Sequence, residues 1–309
     1  LIFTFFTQNL LTAVYAGAIL GNISPAIVVP FIKILDLSDK TKSLLFLESA
    51  ITDVLTIILA LIFLDSISSS KITILEFFSK LLTSLIIATL LGLGGAILWS
   101  IVLEKIRQFP NTMFTTLAFL LILYGLAEKF GYSGPITILV FSILLANAKK
   151  IPFKIVRYFG SSELSEFNIL EKSFFSEIVF IVKTFFFIYL GLSIQFGNFF
   201  IIISSLILTF TIYICRFIVV KFTLPNTITL REAVLISSII PKGLAAAVLI
   251  ELPLFNSLIP IETLLLFGII KELIYCIILF SIIFTATMVY ITEKKLFYIQ
   301  IRKFFKNFY

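Results

Sequence analysis

Residues 44–64 read LLFLESAITDVLTIILALIFL, an apolar stretch of 21 residues that is long enough to cross a bilayer as one helix. Two carboxylates, Glu48 and Asp53, interrupt it near its middle. Even on lenient insertion scales a charged residue at this depth costs about 2.5–3.5 kcal/mol, so an intramembrane acid usually marks a functional site. The alternative is an acid buried by accident and neutralised by a neighbouring cation. We favour the functional interpretation.

Two hydroxyl side chains accompany these acids. Glu48 and Thr52 are four residues apart and share one face of the helix, while Ser49 and Asp53 share another. The helix therefore presents two acids and two hydroxyls to whatever packs against it.

The whole chain has the composition of a membrane protein. Its 309 residues are 60% hydrophobic with a mean hydropathy of +1.15, which predicts an all-α polytopic membrane protein. We place nine spans, at residues 7–35, 44–64, 77–103, 112–127, 133–148, 173–196, 198–220, 232–252 and 259–292.

The basic residues follow the topology of these spans. Sixteen Lys and Arg residues lie in alternate loops and the C-terminal tail, and three lie in the other loops. This bias predicts a multi-pass protein of the cell membrane with a cytoplasmic C-terminus. It also explains the net charge of +7, so we expect no nucleic-acid partner. The chain has no histidine, which excludes a Ser/His/Asp triad, and its two cysteines fall inside spans. We expect neither an enzyme nor a bound cofactor.

Two spans contain sequences that interrupt a helix. The first contains GNISP at residues 21–25, and the eighth contains IPKG at residues 240–243. Proline removes a helical hydrogen bond, and broken helices in a membrane are tolerated only where protein or a cavity satisfies the freed backbone. A pair of them points to a transporter binding site. The alternative is that each is an ordinary proline kink.

Other ionisable residues also fall within spans. We predict Arg216 and Lys242 as counter-charges for the acids of residues 44–64. Four more have no function that the sequence reveals, and we interpret them as members of ion pairs between helices: Glu177, Lys183, Lys271 and Glu272.

Four motifs together suggest a family. ESAITD at residues 48–53 resembles the E-S-x-x-N-D signature of the monovalent cation:proton antiporter superfamily, the sodium/proton exchangers. SPAIVV at residues 24–29 resembles its D-P-V-A-V-L-like break, and PKGLAAAV at residues 241–248 resembles its P-R-G-L-A-A-A-V. FFFIYLGL at residues 185–192 resembles its F-x-F-x-G-L, and Arg216 lies where the family carries a basic residue. The matches keep the family's order and spacing.

The resemblance implies an NhaP/NapA-like protein of the NhaA fold, with inverted repeats, two crossed discontinuous helices and a homodimer. Three or four N-terminal helices of such a protein would then precede this sequence. The implied division is a core in two parts at residues 7–64 and 198–292, a linker helix and scaffold at 65–197, and a cytoplasmic tail at 293–309.

The resemblance also implies a secondary antiporter that exchanges Na⁺, Li⁺ or K⁺ for H⁺ by alternating access and serves pH homeostasis. Asp53 would carry either the proton or the cation, and Glu48 would pair with Arg216. Since one acid would titrate, we expect an electroneutral exchange of one H⁺ per Na⁺. The other site residues so implied are the oxygen ligands Thr52, Ser24, Ser49 and Asn22, and the broken-helix residues Lys242, Pro25, Pro241 and Gly243.

Three departures from the family pattern leave ion choice and stoichiometry open: Thr52 stands for Asn, Ser24 for Asp, and Lys242 for Arg. Two alternatives remain. One is a Na⁺-coupled symporter of the same fold for an organic anion, which needs a basic pocket beside the breaks. The other is a non-transporting structural subunit of a membrane complex, which predicts unbroken helices in both spans.

Overall fold

The computed structural model describes residues 10–69, 74–106, 112–147, 169–194, 197–225, 228–257 and 259–294. Within these ranges the chain is all-helical. A single 3₁₀ turn, Leu252–Phe255, follows the tenth of its eleven α-helices. In chain order the helices are α1 Leu10–Ile19, α2 Pro25–Ile34, α3 Asp39–Ser69, α4 Ile74–Ile106, α5 Thr112–Lys129, α6 Gly134–Ala146, α7 Ile169–Ser193, α8 Phe199–Thr223, α9 Leu230–Ser238, α10 Leu244–Glu251 and α11 Ile261–Glu293.

Five of the described helices (α3, α4, α7, α8 and α11) are long and apolar enough to cross a bilayer by length and composition. The shorter apolar helices are α1, α2, α6 and α10 with its 3₁₀ turn. The chain is therefore a multi-pass, all-helical membrane protein, as the sequence predicted, while the number of nine spans stays a prediction. Residues 7–9 of the first predicted span, residues 148 and 195–196, and the tail beyond residue 294 lie outside the described ranges.

Both predicted interruptions are present. The first span forms two helices, α1 and α2, separated by residues 20–24, and the eighth forms α9 and α10, separated by residues 239–243. Pro25 occupies the first turn of α2, where its missing N–H costs no hydrogen bond. We call residues 20–24 the first break and residues 239–243 the second break.

The chain divides into two compact units. One contains the described residues of Leu1–Lys71 and Phe185–Tyr309, and the other contains those of Ile72–Thr184. The boundary between Thr184 and Phe185 falls inside α7. The functional division into core, scaffold and tail stays a prediction.

The larger unit has two apolar clusters, and each contains one half of each broken helix. Buried residues of α1 and α10 pack with α11 around Tyr15, Phe267 and Tyr275. Buried residues of α2 and α9 pack with α8 around Val28 and Leu235. The two breaks thus lie where one apolar cluster gives way to the other.

The smaller unit depends on a close approach of α4 to α6. A Cβ atom on Gly92 would lie 2.9 Å from Val140 Cβ and 3.2 Å from the backbone nitrogen of Phe141. A Cβ atom on Gly94, two residues further on, would meet nothing within 4 Å. Both glycines lie in the sequence LGLGGA at residues 91–96, and of the two only Gly92 is required for the contact between the helices.

We predict that Gly92→Ala destabilises the protein, because the added methyl group forces α4 and α6 apart at an overpacking cost of about 1–3 kcal/mol. Gly94→Ala is the matched control. It should be neutral or slightly stabilising, since alanine favours a helix by about 1 kcal/mol over glycine. Thermal unfolding of the purified protein in detergent measures both, and equal unfolding temperatures for the two variants would contradict the assigned contact.

Candidate functional site

The backbone of the first break is held by hydroxyl groups of α3. Thr56 Oγ1 donates to the carbonyl oxygen of Ala18 at 3.3 Å. Thr52 Oγ1 accepts from the backbone nitrogen of Ile23 at 3.2 Å. An unpaired backbone group in nonpolar surroundings costs several kcal/mol, so these hydroxyls make the interruption tolerable.

The two breaks also satisfy each other directly. The backbone nitrogen of Ser24 donates to the carbonyl oxygen of Pro241 at 2.9 Å. A Cβ atom on Gly243 would clash with the side chain of Ser24, so only glycine lets the backbones approach this closely. Lys242 is buried, and its ammonium group donates to the carbonyl oxygen of Asn22. A cation thus lies on a carbonyl that the first break leaves without a helical partner.

Asp53 meets the first break through an amide. Asn22 Nδ2 donates to Asp53 Oδ1 at 2.7 Å. The Asn22 side chain is fully buried, and its Oδ1 atom is buried without a hydrogen-bond partner among the described residues. Carboxylate and amide oxygens are ligands that hard cations prefer. The pair therefore holds a carboxylate in place and leaves an amide oxygen available beside it.

The second acid of α3 is held differently. Both terminal nitrogens of Arg216 on α8 donate to the Glu48 carboxylate, and Nη2 lies 2.7 Å from Oε2. The same Nη2 donates to the carbonyl oxygen of Ile236 on α9 at 3.3 Å. This bidentate ion pair joins α3, α8 and α9. Glu48 is therefore neutralised, whereas the partner of Asp53 among the described residues is a neutral amide.

Two of the hydroxyl groups predicted as cation ligands, those of Thr52 and Ser49, donate hydrogen bonds within α3. Thr52 Oγ1 donates to the carbonyl oxygen of Glu48 at 2.8 Å, in addition to accepting from Ile23. Ser49 is fully buried and donates to the carbonyl oxygen of Phe46 at 3.0 Å. The structure therefore brings Asn22, Ser24, Thr52 and Lys242 together at the breaks and directs the Ser49 hydroxyl back to its own helix.

Sequence reasoning missed Ser281. Its Oγ on α11 accepts from the backbone nitrogen of Lys242 at 2.9 Å. No adjacent charge, motif or break marks this serine among its apolar neighbours, so the pattern contains no signal that could have identified it.

A second charged cluster lies at the far end of α10. Glu251 Oε1 accepts from Lys271 Nζ at 3.0 Å, from the Tyr189 hydroxyl at 2.7 Å, and from the Tyr275 hydroxyl. The ion pair expected for Lys271 is thus with Glu251, an acid near the end of a predicted span that was not among the predicted site residues. Glu177 is exposed on α7.

A comparison with protein families gives one finding. The family model described as "Sodium/hydrogen exchanger, transmembrane" matches residues 1–294 of the 309. The match covers both breaks, the acids of α3 and every described helix.

We predict that Arg216→Ala costs about 3 kcal/mol of stability, because it leaves the Glu48 carboxylate, whose side chain is only 25% exposed, without its partner. The matched control is Arg231→Ala. Arg231 pairs with Glu293 where both side chains are about one-third exposed, at 33% and 37%, and such exposed pairs contribute about 1 kcal/mol or less.

Chemical unfolding of the purified protein in detergent measures this difference. The double variant Glu48→Ala with Arg216→Ala should lose less than the sum of the two single variants, since both remove the same interaction. A loss from Arg216→Ala no larger than that from Arg231→Ala would refute the role of the pair.

Proposed function

The chain belongs to the sodium/hydrogen exchanger family, and from this premise we propose that it exchanges Na⁺, or Li⁺ or K⁺, for H⁺ across the cell membrane by alternating access. Members of this family are transporters, which exchange a cation for a proton. One observation carries the proposal for this chain: the Asp53 carboxylate lies beside the first break and is held by a neutral amide.

Competition for Asp53 is the proposed coupling step. A bound proton removes the charge that a cation needs, and a bound cation occupies the oxygens that a proton needs. The two therefore take turns on one carboxylate, and neither can cross with the other. Arg216 does not enter this cycle, because it is occupied by Glu48.

The proposed cation shell is built from oxygens around Asp53. Asn22 Oδ1 is the strongest candidate, because it is buried and has no partner among the described residues. Ser24 and Thr52 lie at the same break, and a hydroxyl that donates one hydrogen bond keeps lone pairs for a cation. Ser49 is the weakest candidate, since its hydroxyl points back to Phe46.

The charges around the site support electroneutral exchange as part of the proposal. Glu48 is paired, and the positive charge of Lys242 rests on the Asn22 carbonyl, so Asp53 is the acid left to exchange one proton for one monovalent cation. Lys242 would thereby compensate the negative end of α1, where the helix stops before the first break.

At the level of the fold, the proposal is the NhaA-type architecture. The contact between Ser24 and Pro241, which joins the two breaks, supports the two crossed discontinuous helices of this architecture. Its nine spans and inverted repeats are part of the proposal through the family resemblance. Residues 7–64 and 198–292 would move as a core against residues 65–197 in a homodimer with a cytoplasmic C-terminus. Such a protein would serve pH homeostasis.

We predict that Asp53→Asn abolishes exchange, because an amide can neither take up a proton at ordinary pH nor hold a cation by charge. The assay is Na⁺-driven proton flux in liposomes containing the full-length protein, followed with an internal pH-sensitive dye. Asp39→Asn, which removes an exposed acid from the first turn of the same helix, is the control and should retain exchange. Wild-type rates in Asp53→Asn would remove this residue from the mechanism.

We predict further that protons compete with Na⁺: lowering the pH should raise the KM for Na⁺ and leave the maximal rate unchanged. Clamping the membrane potential with K⁺ and valinomycin should not alter the rate if one proton exchanges for one cation. A rate that depends on the potential would refute only the electroneutral stoichiometry. An unchanged KM across the pH range would refute competition for a single carboxylate.

A further inference from the structure

The second break leaves the backbone N–H of Lys242 without a helical partner, and a serine from another helix accepts its hydrogen bond. Ser281 Oγ accepts this hydrogen bond at 2.9 Å and donates its own proton to the carbonyl oxygen of Ile278 at 2.8 Å. Ser281 is buried, with 2% of its surface exposed. The position of Lys242 is therefore fixed from α11.

Ser281 is itself held from α8. The Tyr213 hydroxyl donates to the carbonyl oxygen of Ser281 at 3.1 Å and pairs with Thr285 Oγ1 at 2.7 Å. Both partners are buried. Three polar side chains thus support one point of the second break, in a region whose other residues are mostly apolar.

From this point a continuous path of hydrogen bonds leads to Asp53. Ser281 holds the backbone of Lys242, the ammonium of Lys242 donates to the carbonyl oxygen of Asn22, and the amide of Asn22 donates to Asp53. Thr52 and Thr56 also hold the first break from α3, so this path is the support that reaches Asn22 from the second break and α11. Among the described residues, the other charged groups facing Lys242 are Glu48 of α3 and Arg216 of α8, which pair with each other.

Resting on the proposed function, we infer that Ser281 is a positioning residue for exchange, which acts on the Asp53 carboxylate through Lys242 and Asn22. The effect has a direction. A donor on a carboxylate holds its oxygens in one orientation, and a cation binds best when those oxygens are already in place. Loosening the path weakens that donor, so the Asp53 carboxylate is less well oriented and Na⁺ binds less tightly. Hydrogen bonds weaken steeply as they bend or lengthen, so small shifts at Lys242 suffice.

The test measures exchange by the full-length protein in liposomes as a function of Na⁺ concentration and pH. Ser281→Ala should raise the KM for Na⁺ about fivefold, the equivalent of one hydrogen bond of about 1 kcal/mol, with little change in the maximal rate. At a fixed Na⁺ concentration the pH of half-maximal exchange should move upward, because a more weakly bound cation is displaced by protons at a higher pH. Ser281→Thr keeps the hydroxyl and should restore the wild-type KM.

Two further variants separate this role from general packing. Ser66→Ala removes a buried hydroxyl that donates to Ile62 in its own helix, and it should leave the KM and the pH profile unchanged. Tyr213→Phe removes the support of Ser281 with almost no change in shape, and it should raise the KM in the same direction by less. Tyr213→Phe decides the question if Ser281→Ala fails to fold.

The outcomes are distinct. An unchanged KM and pH profile in Ser281→Ala, or in Tyr213→Phe where the alanine variant does not fold, overturns the inference while the proposed function stands. An equal effect from Ser66→Ala also overturns it. Absence of any cation–proton exchange by the wild-type protein overturns the proposed function and the inference with it.

Discussion

An interrupted backbone in nonpolar surroundings must find polar partners, and the larger unit is arranged around this constraint. Bulk water satisfies such groups in a soluble protein, whereas here each freed group needs a specific atom nearby. The two breaks supply atoms to each other, with the backbone nitrogen of Ser24 on the carbonyl of Pro241 and the ammonium of Lys242 on the carbonyl of Asn22. Hydroxyls of α3 supply the rest. The requirement that makes the breaks tolerable also brings Asn22, Thr52 and Lys242 to one place.

The two acids of α3 differ in whether they form an ion pair. Glu48 and Arg216 satisfy each other with two hydrogen bonds, as a charge in nonpolar surroundings requires. Asp53 has no ion pair among the described residues, and its partner is the neutral amide of Asn22. A neutral donor steadies a carboxylate without cancelling its charge. That charge stays available to a proton or a cation, which a permanent cationic partner would prevent.

The sequence predicted the acids of α3 and the two breaks, because each is marked by a residue type that is unusual within an apolar span. Acids within an apolar run marked Glu48 and Asp53, and proline with glycine marked both breaks. The contacts between helices were harder to predict from the sequence, since they depend on the rotation and depth of each helix, which an apolar run does not specify. Ser281 and Glu251 show this limit: one is an unremarkable serine within a span, and the other an acid at the end of one. Ser281 acquires Lys242 as a partner when the second break packs against α11, and Glu251 acquires Lys271 when α10 does.

The departure at position 52 acquires a physical explanation from these contacts. The resemblance places an amide at this position, and here a hydroxyl stands instead. Thr52 donates to its own helix and accepts from Ile23, so it supports the break and leaves the carboxylate next to it without an amide from α3. Asn22 brings an amide to the same carboxylate from the first break. Because Asn22 also receives the ammonium of Lys242 on its carbonyl, the group that steadies Asp53 is tied to the second break as well. An amide on α3 would be fixed to the same helix as Asp53. The amide of Asn22 lies on the first break instead, so its position depends on how the two broken helices pack against each other.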